Sequence, residues 1–143
     1  MTSNVLLASR DSTHFLGDSD DSDSSTYCEP RSNVFVVVTP VMPNIGVQAL
    51  LDSSLGFVQQ KVNSGDLAPI PAGGWRQLGR NALFMVVYSE AQYQITWEML
   101  YTAIQALQHW MRGWRRTWAT CTFTIWDGPD MVGQGEISQV GGY

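Results

Sequence analysis

A chain of 143 residues with 44 % hydrophobic side chains suits one domain, because splitting it would leave two halves each short of buried area. Its formal net charge of -5 excludes the overall basic field that draws in nucleic acid, and no apolar run approaches the length of a bilayer span. The charge is uneven: residues 1–32 carry six acidic and two basic side chains, and the remainder seven and six.

The apolar stretch near the N-terminus, Val5 to Ala8, is shorter than the apolar region of a secretory signal, so a cytoplasmic location is expected unless a leader was removed. In a reducing compartment Cys28 and Cys121 would be free thiols. Residues 17–26, Gly-Asp-Ser-Asp-Asp-Ser-Asp-Ser-Ser-Thr, hold no apolar side chain to offset the entropy of ordering. Residues 1–32 are therefore expected to be a disordered acidic tail, and 33–143 a single α+β domain. Ser19, Ser22 and Ser24, flanked by carboxylates, suit acidophilic kinases, and a merely solvating tail explains the same composition.

Val34-Phe35-Val36-Val37-Val38-Thr39, β-branched and bounded by Pro40 and Pro43, predicts a central strand buried on both faces. Val47, Leu50, Leu51, Leu55 and Val58 then fall at spacings 3, 1, 4 and 3, one stripe of a helix that Asn44 can cap. Gly56 weakens its interior by about 1 kcal/mol relative to alanine. After the Gly- and Pro-rich stretch 62–74, Trp75 to Leu78 and Ala82 to Tyr88 read as two strands of a hairpin turning at Gly79-Arg80-Asn81. A second helix is predicted from Thr96 to Arg112, with Trp97, Leu100, Tyr101, Ile104, Leu107 and Met111 on its apolar stripe, Thr96 as cap and Gly113 as stop. Cys121, Phe123 and Ile125 alternate with Thr120, Thr122 and Thr124, the pattern of a strand with one dry face. Asp127-Gly128-Pro129-Asp130 is turn chemistry, and Met131 to Gln139 reads as a last strand weakened by Gly133 and Gly135. The order β-α-β-β-α-β-β predicts a ferredoxin-like plait with an added C-terminal strand.

The chemistry is concentrated in His109-Trp110-Met111-Arg112-Gly113-Trp114-Arg115-Arg116-Thr117-Trp118. Planar cations pair with anions and indoles bury large area, so Trp110, Arg112, Trp114, Arg115, Arg116 and Trp118 make a candidate binding corner for a protein or an anionic group. The plainer alternative is that the tryptophans complete the core while the arginines cap a helix. Glu98, Thr102, Gln105, His109 and Arg112 share one helical face, where His109 is the one candidate general base; a solvated polar face explains that pattern as well. No His or Cys cluster has metal-ligand spacing, no phosphate-binding glycine loop is present, and no cofactor is expected. Gly133-Gln134-Gly135 reads as a place of close backbone approach.

Arg80 to Tyr88 lies nearest to the stacking strand of an RNA-binding plait, but Asn81 and Ala82 replace the expected glycine and first aromatic, and Tyr88 falls one position late. Ile104-Gln105 with Arg112-Gly113 departs from the spacing of a calmodulin-binding IQ motif. Thr96-Trp97 opening the second helix, then Phe123-Thr124-Ile125-Trp126-Asp127-Gly128 and Val132-Gly133-Gln134-Gly135, resemble small uncharacterised fungal α+β proteins over about a third of the chain. That resemblance implies no activity. Many such proteins are secreted, which this N-terminus does not suggest.

The expected function is a non-catalytic interaction module that engages a protein partner or a second copy of itself, without nucleic acid or membrane. The alternative is a small plait-type enzyme or ligand binder centred on His109, which requires a concave pocket into which His109 points.

Overall fold

The computed structural model describes residues 25–28, 33–66, 68–71, 74–90 and 93–140. The tail serines Ser19, Ser22 and Ser24 lie outside the described residues. Strand β1 (Ser25–Cys28) falls within the stretch assigned to the tail, yet it pairs antiparallel with Phe35 to Val38. The sheet thus begins before residue 33.

Strand β2 (Val34–Pro43) runs through Pro40 and ends on Pro43. A register shift between Pro40 and Met42 absorbs the irregularity, and there the Thr120 hydroxyl accepts from Met42 N and donates to Met42 O, each at 3.3 Å. Helix α1 (Gly46–Asn63) buries Val47, Leu50, Leu51, Ser54 and Val58. The N-cap position is held by Ile45, which makes no side-chain cap; the expected cap, Asn44, stands one residue earlier, where its Oδ1 accepts from Gly46 N at 2.9 Å and its O from Val47 N at 3.1 Å.

Strands β3 (Gly74–Leu78) and β4 (Leu83–Ser89) form the hairpin. Leu83 N donates to Arg80 O at 3.1 Å, while Asn81 and Ala82 between them have φ of 57° and 64°. Two successive positive-φ residues at the centre of the Arg80–Leu83 turn match the strand twist, but alanine there is strained. Helix α2 (Trp97–His109) starts where Thr96 Oγ1 accepts from Met99 N at 3.1 Å. Beyond His109 the backbone widens into a π-helical turn, Trp110–Arg115. Gly113 does not end it: the left-handed residue is Arg116, φ 55°, whose N–H, like that of Thr117, bonds Met111 O. Strands β5 (Ala119–Asp127) and β6 (Asp130–Gln139) complete the sheet, with Gly128 at φ 64° in their turn.

The protein is α+β, with a six-stranded sheet in the order β1-β2-β5-β6-β4-β3 and every neighbouring pair antiparallel. This is not the strand order of a ferredoxin-like plait. A plait places the first strand beside the third; here the β5–β6 hairpin stands between β2 and β4. Nor does the added C-terminal strand lie at an edge, since β6 is ladder-bonded on both sides. Its glycines make that possible. A Cβ on Gly135 would lie 2.5 Å from Val86 O and 2.7 Å from Phe123 Cζ, and one on Gly133 would clash with Ile95 and lie 2.7 Å from Tyr88 O. The close approach expected of this pair is therefore a condition of the topology.

Both helices pack against one face of the sheet, α1 near β3 and β4, and α2 near β2. The core joins Val34, Val36 and Val38 of β2 to Met85 and Val87 of β4, to Cys121, Phe123 and Ile125 of β5, and to Leu50, Leu51, Leu100, Ile104 and Leu107 of the helices. Among the described residues no helix is long and apolar enough to cross a membrane.

Candidate functional site

The Trp/Arg segment is divided by the fold. Trp110 and Met111 are fully buried and belong to the core. Trp110 stands three positions after Leu107, on the same helical stripe, so its period carries it inward. Arg112 and Arg116 are exposed and Trp118 is half-buried; the Arg112 guanidinium lies 5.9 Å from the Trp118 ring centroid, a cation–π contact. Trp114 and Arg115 contribute backbone to the π-helical turn, and their side chains lie outside the description. What the structure brings together at this corner is Arg112 and Trp118.

The polar face of α2 is occupied with its own helix. Thr102 Oγ1 donates to Glu98 O at 3.1 Å, and Gln105 Nε2 to Tyr101 OH at 3.3 Å. His109 is half-exposed in the last turn, and neither of the two described clefts is lined by it. Among the described residues no group of three or more His, Cys, Asp or Glu could hold a metal ion. Cys121 is buried, and desolvation pushes its thiol up to about 12, only partly offset by a hydrogen bond with the Ile137 backbone. Few thiolates form at neutral pH, so nucleophilic chemistry there is disfavoured. At the other end of the sheet the Asp130 carboxylate, chiefly through its charge, with partial desolvation and a hydrogen bond, holds the Tyr93 hydroxyl above its ordinary value. That raises no group toward catalysis at neutral pH.

The larger surface is the sheet face opposite the helices, which residue-by-residue reading did not single out. Cross-strand register orders it into rows. One row runs Thr39, Thr122, Glu136, Val86, Arg76; the next runs Val37, Thr124, Gln134, Tyr88, Gly74. A third pairs Phe35 with Trp126, whose rings stack at 5.8 Å and 15°, while Trp126 Nε1 donates to Thr124 Oγ1 at 2.9 Å. A shallow cleft of about 430 Å³ crosses these strands, floored by Thr39, Thr122 and Thr124 and flanked by Tyr88, Gln134 and Glu136. Toward the hairpin end Arg76 lies over the Phe84 ring at 5.8 Å, and Leu78 and Val140 are 68 % and 66 % exposed. The alternation of Thr122 and Thr124 with buried residues was a readable sign of this face; its width was not, because it depends on which strands are neighbours.

Comparison with family models, with curated proteins and with solved structures finds no match to the chain.

Proposed function

We propose that this chain is a non-catalytic interaction module that pairs with a second copy of itself through the helix-free face of its sheet. The observation that carries the reading is the charge pattern of that face. Arg76 and Glu136 lie in a single row with Val86 of β4 between them, and the other described anion beside this face, Glu90, accepts from Gln134 Nε2 at 3.2 Å away from that row. A two-fold axis along β4, in the plane between two such faces, brings Arg76 opposite the partner's Glu136 and repeats the pair in reverse, as a two-fold interface requires. Tyr88, 51 % exposed, and Leu78 supply the aromatic and apolar area that interface centres favour.

The test is sedimentation over a range of concentrations, with charge reversal. Arg76→Glu and Glu136→Arg should each weaken the dimer, by about tenfold or more if the pair is desolvated, and the double reversal should restore it. A wild-type chain that stays monomeric at high concentration sinks the reading, as does a double variant no better than the singles.

A second reading is favoured by one observation, the exposed Arg112 held over Trp118: a protein- or anion-binding corner formed by Arg112, Arg116 and Trp118. The enzymatic alternative on His109 gains no support from the described clefts.

A further inference from the structure

A corner between α1, β3 and the start of α2 is built from three aromatic rings and one cation. Phe57 lies nearly parallel to Trp75, centroids 6.1 Å apart at 25°, and edge-on to Trp97 at 5.9 Å and 67°. Phe57 and Trp97 thus form two walls set steeply to each other. Lys61 Nζ stands over both rings, 5.6 Å from the Phe57 centroid and 5.5 Å from that of Trp97. Trp97 is 4 % and Phe57 41 % exposed, so one wall is rooted in the core and the other reaches solvent.

Helix-end duties do not account for the lysine's position. It lies in the last turn of α1, where a cation suits the helix dipole, but the terminal carbonyls already have partners. Gln60 O accepts from Ser64 N at 3.0 Å, Val62 O from Gly65 N at 3.0 Å, and Lys61 O from Ser64 Oγ at 2.8 Å and Asp66 N at 3.2 Å. The contacts of the Lys61 ammonium among the described residues are the two rings. Phe57 and Lys61 are neighbours on one helix, whereas Trp97 comes from a different element, so the two-walled arrangement is tertiary.

A primary ammonium is a poor occupant of such a corner. It carries three N–H donors and is strongly hydrated, and the rings offer no acceptor in the plane of a hydrogen bond. A quaternary ammonium has no N–H to leave unsatisfied, and its spread charge is what aromatic faces hold best. We propose that the Phe57–Trp97 corner is a binding site for a quaternary ammonium group, and that Lys61 is a tethered cation which occupies the corner until such a group displaces it.

The experiment titrates the full chain, at constant ionic strength, with tetramethylammonium, choline and Nε-trimethyllysine, followed by tryptophan fluorescence and by the Trp97 indole resonance. Lys61→Ala removes the resident competitor and should bind tetramethylammonium about tenfold or more tightly than the wild type, with the Trp97 indole shifted. Phe57→Leu in that background keeps apolar bulk but removes one aromatic face, and should lower affinity by about tenfold while the melt persists. If Lys61→Ala fails to fold, Lys61→Gln keeps the stem and removes the charge. The choline and trimethyllysine arms separate a headgroup-type source from a methylated side chain. Equal affinity in wild type and Lys61 variants, no saturable shift in any of them, an equal response to ammonium chloride, or binding that survives Phe57→Leu would each overturn the proposal.

Discussion

Phe123 of β5 packs directly against the backbone of Gly135 on β6, leaving no room for even one methyl group there. A Cβ on residue 135 would lie 2.7 Å from Phe123 Cζ and 2.5 Å from Val86 O, and backbone cannot step aside as a flexible side chain can. Gly135→Ala should therefore cost about 3 kcal/mol through overpacking at the centre of the sheet. Gly56, inside α1, has nothing within 4 Å of the same hypothetical carbon, so Gly56→Ala should gain about 1 kcal/mol from helix propensity. Thermal and urea melts should show the opposite signs. A tolerated Gly135→Ala would mean that β6 does not run between β5 and β4.

The hairpin turn carries a removable strain. Ala82 has φ 64° beside Asn81 at 57°, and a left-handed alanine costs about 1–2 kcal/mol, while glycine loses roughly 0.5–1 kcal/mol more backbone entropy on folding. Ala82→Gly should thus stabilise by up to about 1 kcal/mol and create the Asn-Gly pair that such turns favour. Ala82→Val should destabilise, since a β-branched residue fits this region worst. Loss of stability in the glycine variant would contradict the turn geometry.

How much of this fold could be read beforehand follows from the range of the interactions involved. The stripes Val47 to Val58 and Trp97 to Met111 depend on local period, and both helices occur where the spacing predicted them. The same holds for the β3–β4 hairpin and for the alternation around Phe123. Strand order is non-local: nothing between Thr120 and Gln139 says that this hairpin inserts beside β4, although the alternate glycines 133 and 135 marked a strand pressed against its surroundings. Strand β1 escaped notice because four residues, Ser-Thr-Tyr-Cys, are too few to show a period against an acidic background. Composition left Trp110 with two readings, a surface anchor among three tryptophans and three arginines or a residue completing the core, and its burial, foreshadowed by the spacing from Leu107, fits the second. The sheet-face rows and the Phe57–Trp97 corner join residues from different elements, so only the register and the tertiary packing reveal them.

In the core, Ile104 and Leu107 are no more than 1 % exposed, so either changed to alanine should cost about 2–5 kcal/mol. Gln105→Ala should cost little, because its partner Tyr101 lies on the same half-exposed face. Gln108 differs: it is 5 % exposed, and its Nε2 donates to Asp52 Oδ1 of α1 at 2.6 Å, so Gln108→Ala should cost about 1–3 kcal/mol. Ser54, 0 % exposed, has no described hydrogen-bond partner for its Oγ, and Ser54→Ala should lose nothing. Denaturant midpoints rank the four classes, and equal losses at 104, 105 and 107 would contradict the helix phase.

Cys121 predicts an alkaline limb of stability. Its thiol is raised by burial to about 12 in the fold, against an ordinary value of about 8.5 when unfolded. The folded state therefore holds this proton more tightly, and the contribution is fully present below about pH 8.5 and is lost progressively as pH rises toward 12. Cys121→Ala in a Cys28→Ser background should be less stable at neutral pH because of the cavity, with the gap to its parent narrowing above pH 9. Urea melts at several alkaline pH values measure that gap. A gap independent of pH would show that the thiol titrates alike in both states.

The Trp/Arg corner separates two roles for the same cations. If Arg112 and Arg116 only finish the π-helical turn, replacing both by glutamine should change stability by no more than about 1 kcal/mol, because exposed charges near a helix end are worth little. Any assembly of the chain would then survive the change. The observed contact is specific: Arg112 lies over Trp118 at 5.9 Å, so Trp118→Leu should abolish the cation–π contact, worth about 0.5–1 kcal/mol at an exposed site, and should further lower the melt by the packing lost where the half-buried indole rests on the core. As a recognition patch, Arg112 and Trp118 would act together, and Arg112→Gln or Trp118→Leu alone would release a bound protein or anion while the fold persists. Sizing and pull-down of both variants beside the Arg76→Glu variant distinguish the surfaces. Loss of assembly only at Arg76 assigns association to the sheet face, and loss only at Arg112 and Trp118 assigns it to the corner. Association unchanged in all three variants would leave neither surface as the interface.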